Sequence, residues 1–250
     1  MRPRAPMRCW SDRASRPLRI PSRRRARSPG CRGARVATDI KICGLTRSVD
    51  AEYADAAGVE YLGVIFAGGP RERTPAHARD TLAGRRARKV GVIADQEDEA
   101  IGELVETVGL QVIQLHGGAD AERVERVRAA TGTEVWAVVR TADGTLPDDV
   151  DELCETADAL LIDAHVPGRL GGSGVQVPWD RLGESLDALD YHPRIILAGG
   201  LTPENVAEAI DLVAPNVVDV SSGVESSPGI KDHARIRAFV AAVRSAGVKE

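Results

Sequence analysis

Residues 39–57 read DIKICGLTRSVDAEYADAA, a short apolar run followed by a polar turn and an amphipathic stretch. The apolar run predicts a strand over Asp39–Cys43, and the later spacing of apolar residues predicts a helix over Ser48–Ala57. The same strand–helix pattern recurs along the rest of the chain. The fold class therefore depends on how many times this unit is repeated.

Seven more apolar runs follow, rich in Val and Ile with little polar alternation, as in parallel strands buried on both faces. These predicted strands are Tyr61–Phe66, Lys89–Ala94, Gln111–Leu115, Glu134–Val139, Ala159–Ile162, Arg194–Leu197 and Val217–Val220. Helices are predicted between and after them at Pro75–Gly84, Glu97–Val108, Ala119–Thr131, Pro147–Thr156, Pro178–Leu189, Pro203–Val213 and Asp232–Ala246. Eight alternating units favour a single-domain α/β protein, a (β/α)8 TIM barrel, a fold of roughly 200 to over 400 residues. A doubly wound sheet is the alternative, but no G-x-G-x-x-G follows the first strand.

Charge divides the 250 residues into two parts. Residues 1–37 hold twelve arginines and one acidic residue, Asp12, whereas residues 38–250 carry a net charge of −15. With five prolines and little apolar periodicity, residues 1–37 are predicted to be a disordered Arg-rich extension preceding a barrel domain at 38–250. We interpret the extension as the product of an upstream start codon, with Val36 as the candidate initiator. A tail for nucleic acid or an acidic partner and an organelle transit peptide are the alternatives.

The composition excludes several classes of protein. No run of about 18 apolar residues is present, which excludes a transmembrane helix. Four cysteines are too few for a disulfide scaffold. The acidic barrel domain repels nucleic acid, and its scarcity of lysine fits either a high-salt cytoplasm or a GC-rich genome. We therefore expect a cytoplasmic protein with neither a membrane nor a nucleic-acid partner.

Two reactive side chains end predicted strands. Cys43 ends the first strand and Asp163 follows the sixth, and in a barrel the active site lies at these carboxyl ends. The two side chains form a candidate base–acid pair across the mouth. A thiol becomes a useful base only where its surroundings favour the thiolate. Asp163 must instead keep a proton near neutral pH, which enclosure beneath a bound substrate favours.

Three glycine-containing loops predict a phosphate site. Backbone N–H groups approach an anion closely only where no Cβ intervenes, and barrels often build such a site after strands seven and eight. The loops after strands six, seven and eight supply Gly172, Ser173, Gly199, Gly200, Ser222 and Gly223. The alternative is that these glycines serve only tight turns, but three clusters at one rim favour phosphate.

Lys41 precedes Cys43 by two residues, so both side chains should face the barrel interior. Asp219 lies two residues before Ser221 on the eighth strand, which neighbours the first strand in a closed barrel. A buried lysine without a partner is costly. We therefore predict that Lys41 and Asp219 interact beneath the active site.

Six segments resemble the phosphoribosylanthranilate isomerase family, in the same order from about residue 39 to residue 243. They read KICGLTR at 41–47, QLHG at 114–117, LID at 161–163, GGSG at 171–174, AGGL at 198–201 and DVSSGVE at 219–225, and PGIKD at 228–232 is similar too. The resemblance implies an isomerase of tryptophan biosynthesis that needs no metal and no cofactor. It implies that N-(5-phosphoribosyl)anthranilate is converted to 1-(o-carboxyphenylamino)-1-deoxyribulose 5-phosphate by an Amadori rearrangement.

The resemblance also implies residue roles. Asp163 would be the general acid that opens the ribose ring, and Cys43 the general base that removes the C2 proton. Arg71 would hold the anthranilate carboxylate, with Arg73 as a second candidate because the serine usual in this loop is absent. The remaining implied contacts to this small-molecule substrate are His116 and Asp219 in the pocket and the glycine loops around the phosphate. The oligomeric state is left open between monomer and homodimer.

Other barrels that bind sugar phosphates are alternatives. Pentose-phosphate epimerases place metal-binding His and Asp residues at several strand ends, whereas only His116 is so placed here. Indole-glycerol-phosphate synthase calls for lysines at strand ends, and a dual-substrate isomerase for an aspartate where Cys43 stands. A non-catalytic phosphate or RNA binder is disfavoured by the acidic barrel, since RNA affinity depends on positive charge. A decayed barrel predicts the loss of Cys43 or Asp163, and both are present.

Overall fold

The computed structural model describes residues 37–164, 178–189, 191 and 193–246. Its strands are β1 (Asp39–Ile42), β2 (Tyr61–Ile65), β3 (Arg88–Ile93), β4 (Val112–Leu115), β5 (Glu134–Thr141), β6 (Ala159–Ala164), β7 (Ile195–Ala198) and β8 (Val217–Val220). They pair in parallel in chain order, and β1 also pairs with β8, which closes the barrel. The predicted (β/α)8 barrel is confirmed. The predictions for residues 1–36 lie outside the described residues.

Helices follow the strands around the outside of the barrel. They are α1 (Ser48–Ala56), α2 (Pro75–Leu82), α3 (Asp98–Val108), α4 (Ala121–Thr131), α5 (Val150–Thr156), α6 (Trp179–Asp187), α7 (Val206–Val213) and α8 (His233–Ala246). Within the described ranges, none of these helices is long and apolar enough to cross a bilayer.

A short antiparallel hairpin follows β8 and is not predicted by the sequence patterns. One turn of 3-10 helix at Ser222–Val224 leads into β9 (Glu225–Ser227), which pairs with β10 (Ile230–Lys231). Strands of three and two residues are too short to show an apolar period. The hairpin places residues 225–231 beside the mouth of the barrel.

Strand ends differ from the predicted limits on both sides of the mouth. β5 and β6 stay paired through Arg140↔Asp163 and Thr141↔Ala164, so Asp163 lies within β6. The first strand is shorter than predicted, and Cys43 lies one residue beyond β1. The Cys43 N–H still donates to the Val220 carbonyl at 2.9 Å, so the backbone of Cys43 remains attached to the barrel wall.

At the amino ends of the strands, two aromatic side chains pack among smaller apolar ones in the barrel interior. Tyr61 and Trp136 meet edge to face with ring centroids 5.0 Å apart, and Trp136 donates its indole N–H to Glu134 at 2.7 Å. The guanidinium groups of Arg88 and Arg194 each lie 5.5 Å from the centroid of the Tyr61 ring. Because this end is packed, the opposite end, at the carboxyl ends of the strands, is where a ligand can enter.

The side chain of Asp50 connects α1 to the hairpin and to α8. Its buried carboxylate accepts two hydrogen bonds from Arg47 at 2.8 and 2.7 Å and one from the Lys231 N–H at 3.3 Å. The Nε2 atom of His233, whose ring stacks on Tyr53, lies 2.9 Å from Asp50 Oδ1. Burial favours a higher pKa for Asp50, but the hydrogen bonds from Arg47 and His233 outweigh it and hold that pKa below its ordinary value.

We expect Asp50→Asn to lower the free energy of unfolding by about 1.5–3 kcal/mol at pH 7, the usual range for hydrogen bonds to a charged group. The pKa of Asp50 is lower in the folded than in the unfolded chain, so its stabilisation is present above the unfolded pKa. That stabilisation begins to fall below the unfolded pKa of about 4 and is lost as the pH falls through the lower folded value, so the two proteins should converge only below the folded pKa.

Urea unfolding of both proteins at pH 7 and at a series of pH values below about 4 measures this difference in stability. Asp80→Asn is the control, because Asp80 is exposed on α2 and forms a surface pair with its neighbour Arg79. Exposed pairs contribute about 0–1 kcal/mol. Equal stability of Asp50→Asn and the unmodified protein at pH 7 would mean that the hydrogen bonds of the Asp50 carboxylate do not stabilise the fold.

Candidate active site

Side chains that alternate along the strands converge on the mouth of the barrel. Residues two apart on a strand share a face, and the interior positions near the carboxyl ends carry polar groups instead of the apolar ones found lower down. These interior pairs are Lys41 and Cys43, Gln114 and His116, Leu161 and Asp163, and Asp219 and Ser221. The candidate base and acid therefore face the same mouth.

Lys41 lies fully buried beneath the mouth. Its Nζ atom donates to Asp219 Oδ2 at 2.8 Å and to Gln114 Oε1 at 2.9 Å. Lys41 and Asp219 are direct register partners on β1 and β8, which explains the short contact. The predicted Lys41–Asp219 interaction is confirmed. Burial favours a lower pKa for Lys41, but the Asp219 carboxylate outweighs it and raises that pKa above its ordinary value.

Cys43 is buried next to this ion pair. Its Sγ atom and the Lys41 Cε atom both pack over Gly63 of β2. Burial raises the pKa of the Cys43 thiol, and the Asp219 charge adds to that shift, while Lys41 and Lys231 oppose it. The charge state of Cys43 is thus a balance between burial and two nearby ammonium groups.

Arg71 approaches Cys43 across Gly44. A Cβ on Gly44 would lie 2.6 Å from Arg71 Cδ, and the backbone φ of +70° at Gly44 also favours glycine. The Arg71 guanidinium makes a bidentate pair with Glu225, with N–O distances of 2.9 and 2.6 Å. The guanidinium group of Arg71 is therefore held at the mouth, partly exposed and beside Cys43.

Arg73 lies in a different place. Its guanidinium donates to the Glu72 carbonyl, and its side chain lines a cavity of about 620 Å³ beside α3, together with Leu104. Neither Cys43 nor Asp163 lines this cavity. Of the two arginines left open by the sequence, Arg71 is the one placed at the mouth.

Lys231 and Glu225 belong to the site but have no role in the sequence-based prediction. Lys231 Nζ donates to Glu225 Oε1 at 2.9 Å and to the Ser221 carbonyl at 3.1 Å. Burial lowers the pKa of Lys231 despite the Glu225 carboxylate. For Glu225, burial favours a higher pKa, but hydrogen bonds from Arg71 and Lys231 bring it below the ordinary value. Both residues occur in the DVSSGVE and PGIKD segments, which is the only sequence signal for them.

His116 is held by its backbone, because Arg140 donates to its carbonyl at 2.9 Å. Burial and the positive charge of Arg140 lower the pKa of His116, which favours the neutral ring. Within the described residues, three buried polar atoms at the mouth have no hydrogen-bond partner, namely His116 Nδ1, Asp219 Oδ1 and Ser221 Oγ. Buried polar groups are normally paired, so these atoms mark positions where a bound molecule can complete the hydrogen bonding.

The loops after β7 and β8 meet at one side of the rim. A Cβ on Gly223 would lie 1.9 Å from the Leu201 carbonyl oxygen, so only glycine allows the two loops to approach this closely. Gly199 and Gly200 both have positive φ, at 92° and 65°. Asn205 donates to the Gly200 carbonyl at 3.0 Å and Arg235 to the Gly223 carbonyl at 2.8 Å. The candidate phosphate residues Gly172 and Ser173 lie outside the described residues.

The described residues contain no group of three or more His, Cys, Asp or Glu side chains placed to hold a metal ion. The charged side chains at the mouth form salt bridges with one another. Lys41 pairs with Asp219, and Arg71 and Lys231 both pair with Glu225. This arrangement suits proton transfer to and from an anionic organic molecule.

Comparison with known proteins identifies the family. The family model described as N-(5'phosphoribosyl)anthranilate (PRA) isomerase matches residues 40–242. The N-(5'-phosphoribosyl)anthranilate isomerase of Paracoccus denitrificans is 43% identical over 215 residues, which cover 82% of this chain and 97% of that protein. The enzyme of the same name from Acetivibrio thermocellus is 37% identical over 217 residues, covering 84% and 97%.

Solved structures agree with this family. A phosphoribosyl anthranilate isomerase from Thermotoga maritima superposes with a TM-score of 0.72 at 32% identity, covering 83% of this chain and 99% of that chain. A structure of such an isomerase in complex with reduced 1-(o-carboxyphenylamino)-1-deoxyribulose 5-phosphate gives 0.70 at 30% identity, with the same coverage. The Thermus thermophilus protein gives 0.69 at 34%, covering 83% and 99%. This chain therefore belongs to the phosphoribosylanthranilate isomerase family.

Proposed function

We propose that this chain converts N-(5-phosphoribosyl)anthranilate to 1-(o-carboxyphenylamino)-1-deoxyribulose 5-phosphate, with Asp163 as acid and Cys43 as base. The observation that carries the proposal is the arrangement of the mouth, where Arg71 lies beside Cys43, Asp163 lies near His116, and the glycine loops follow β7 and β8. The binding of the reduced product by the structural relative supports the substrate.

The reaction needs one acid and one base and no external oxidant. Asp163 gives its proton to the ribose ring oxygen, the C1–O bond breaks, and the amine nitrogen forms an iminium with C1. The Cys43 thiolate then takes the proton from C2, which leaves an enol at C2 conjugated with the nitrogen. The enol then becomes a ketone: C1 gains a proton and the enol O–H loses one, so no proton is gained or lost overall, Cys43 and Asp163 return to their starting states, and C1 has been reduced and C2 oxidised within one molecule.

The substrate carries a carboxylate and a phosphate, so its binding needs local positive potential on a protein whose residues 38–250 sum to −15. The Arg71 fork suits the flat carboxylate, since such pairs are bidentate and charge-assisted. His116 and Asp219 line the pocket with their unpaired polar atoms. The phosphate is assigned to Gly199, Gly200, Ser222 and Gly223, completed by Gly172 and Ser173.

The proposal includes no cofactor and no metal, because the acid and the base are both protein side chains. The acidic barrel favours a small molecule as the sole partner and disfavours nucleic acid. We place the enzyme in the cytoplasm as a monomer or a homodimer. The Thermotoga maritima relative is named as a dimeric protein from which monomers were generated.

Arg71→Ala is expected to raise KM by about 10–100-fold, because hydrogen bonds to a charged group contribute about 1.5–3 kcal/mol. The effect on kcat should be smaller, since the carboxylate is held similarly before and during reaction. Arg73→Ala is the matched control and should leave KM unchanged. The reverse ranking of the two variants would assign the carboxylate to Arg73.

The direct test follows the fluorescence of freshly generated N-(5-phosphoribosyl)anthranilate in the presence of the full chain, at low salt and in molar KCl. Loss of the anthranilate signal without release of free anthranilate supports the isomerase. A rate confined to high salt would connect the acidic surface with salt screening. A folded protein that is inactive in both buffers would overturn the proposal in favour of another phosphate-binding barrel.

A further inference from the structure

Charged side chains around Cys43 leave one positive charge without a carboxylate partner. The charged groups around the thiol come from β1, β8, β9, β10 and the loop after β2. They are three cations, Lys41, Lys231 and Arg71, and two carboxylates, Asp219 and Glu225. A thiolate at Cys43 would balance the charges of these five side chains.

Lys41 is the cation best placed to act on the thiol, although it is itself paired with Asp219. It has no exposed surface, and two acceptors, Asp219 Oδ2 and Gln114 Oε1, fix the direction of its ammonium group. Its stem and the Cys43 sulfur pack over the same residue, Gly63. A buried ammonium that cannot rotate away acts on the neighbouring thiol in a low-dielectric setting, where charge interactions are strong.

Arg71 and Lys231 are less free to act on the sulfur. Both donate to Glu225, so they share one carboxylate between two positive charges. Arg71 is also the group assigned to the substrate carboxylate, which will neutralise it further on binding. Lys41 keeps its position whether or not the mouth is occupied, because it lies below the ligand.

We propose that Lys41 is a positioning residue for the base: its ammonium, fixed by Asp219 and Gln114, is the counter-ion that stabilises the Cys43 thiolate when it forms. The inference rests on the proposed function, since it gives Cys43 the role of base. Asp219 then has two opposed effects, because it anchors Lys41 while its own negative charge disfavours the thiolate.

The test is the ionisation of Cys43, followed by the ultraviolet absorbance of its thiolate in the full chain as the pH is raised. Each titration is corrected by subtracting the same protein with Cys43→Ser. Lys41→Met should raise the midpoint by about one pH unit or more, equivalent to tenfold less thiolate at neutral pH. Asp219→Asn should lower the midpoint, because it removes a negative charge near the sulfur while Gln114 and the asparagine oxygen still hold the Lys41 ammonium in place.

Lys89→Met is the matched control, since Lys89 lies near the start of β3, at the other end of the barrel. It removes the same charge and should leave the midpoint unchanged. Opposite shifts for Lys41→Met and Asp219→Asn support the inference, because general loosening of the site would move both in one direction. An unchanged midpoint in Lys41→Met overturns it. If that variant does not fold, a midpoint that fails to fall in Asp219→Asn overturns it instead.

Kinetics separate the inference from the function on which it rests. Lys41→Met should lose about tenfold in kcat/KM at neutral pH and recover as the pH rises and the thiolate forms. Recovery at high pH is not expected from damage to the fold. Full activity of Cys43→Ser would overturn the proposed role of Cys43 itself, whatever the titrations of the lysine variants show.

Discussion

Cys43→Ser is expected to lower kcat by at least about 10²-fold, because a positioned general base contributes about 10²–10⁴-fold. Serine has nearly the same shape as cysteine, so the substrate should still bind. Its hydroxyl, however, does not ionise near neutral pH and cannot take the C2 proton. The measurement is the fluorescence decay of phosphoribosylanthranilate at saturating substrate, with KM determined in parallel.

Cys154→Ser provides the control for this substitution. Cys154 is also buried, but it lies on α5, where burial raises the pKa of its thiol to about 11. We expect its kcat to match that of the unmodified protein. A Cys43→Ser enzyme with the unmodified rate would remove Cys43 from the proposed mechanism.

The pH profile provides a second check on Cys43. Burial raises the pKa of its thiol above the ordinary value, and Lys41 offsets this only in part. The thiolate therefore increases as the pH rises through that raised pKa, and kcat/KM should rise with it. A kcat/KM that does not change across the alkaline range would mean that ionisation of Cys43 does not limit the rate.

The barrel and part of its site could be predicted from sequence because both depend on strand periodicity. Repeated apolar runs indicate buried parallel strands. The Lys41–Asp219 pair follows from two further facts, that residues two apart share a face and that β8 neighbours β1 in a closed barrel. These inferences need only the strand order and the alternation of side chains.

Other parts of the site could not be predicted because they depend on loops and on contacts across the barrel. The choice between Arg71 and Arg73 depends on the path of the loop after β2, which turns at two glycines and returns along the strand at Glu72. Gln114 reaches Lys41 from β4, which is not a neighbour of β1. The Glu225–Lys231 contact requires a hairpin whose strands are too short to be recognised.

Asp163→Asn is expected to lower kcat by about 10²–10⁴-fold, the contribution of a positioned general acid. Asparagine keeps the size of the side chain and can still donate a hydrogen bond, but it has no proton to give to the ring oxygen. Ring opening must precede removal of the C2 proton, so loss of the acid should stop the reaction even though Cys43 is intact. The rate is measured by the same fluorescence decay.

Binding distinguishes proton transfer from a simple contact to the substrate. The reduced product 1-(o-carboxyphenylamino)-1-deoxyribulose 5-phosphate no longer has the ring that Asp163 opens. Its affinity should therefore stay within a few-fold in Asp163→Asn, because Arg71 and the glycine loops are unchanged. Asp158→Asn, just before the start of β6, is the control and should keep its kcat. A large loss of affinity for the reduced product in Asp163→Asn would make Asp163 a binding group instead of the acid.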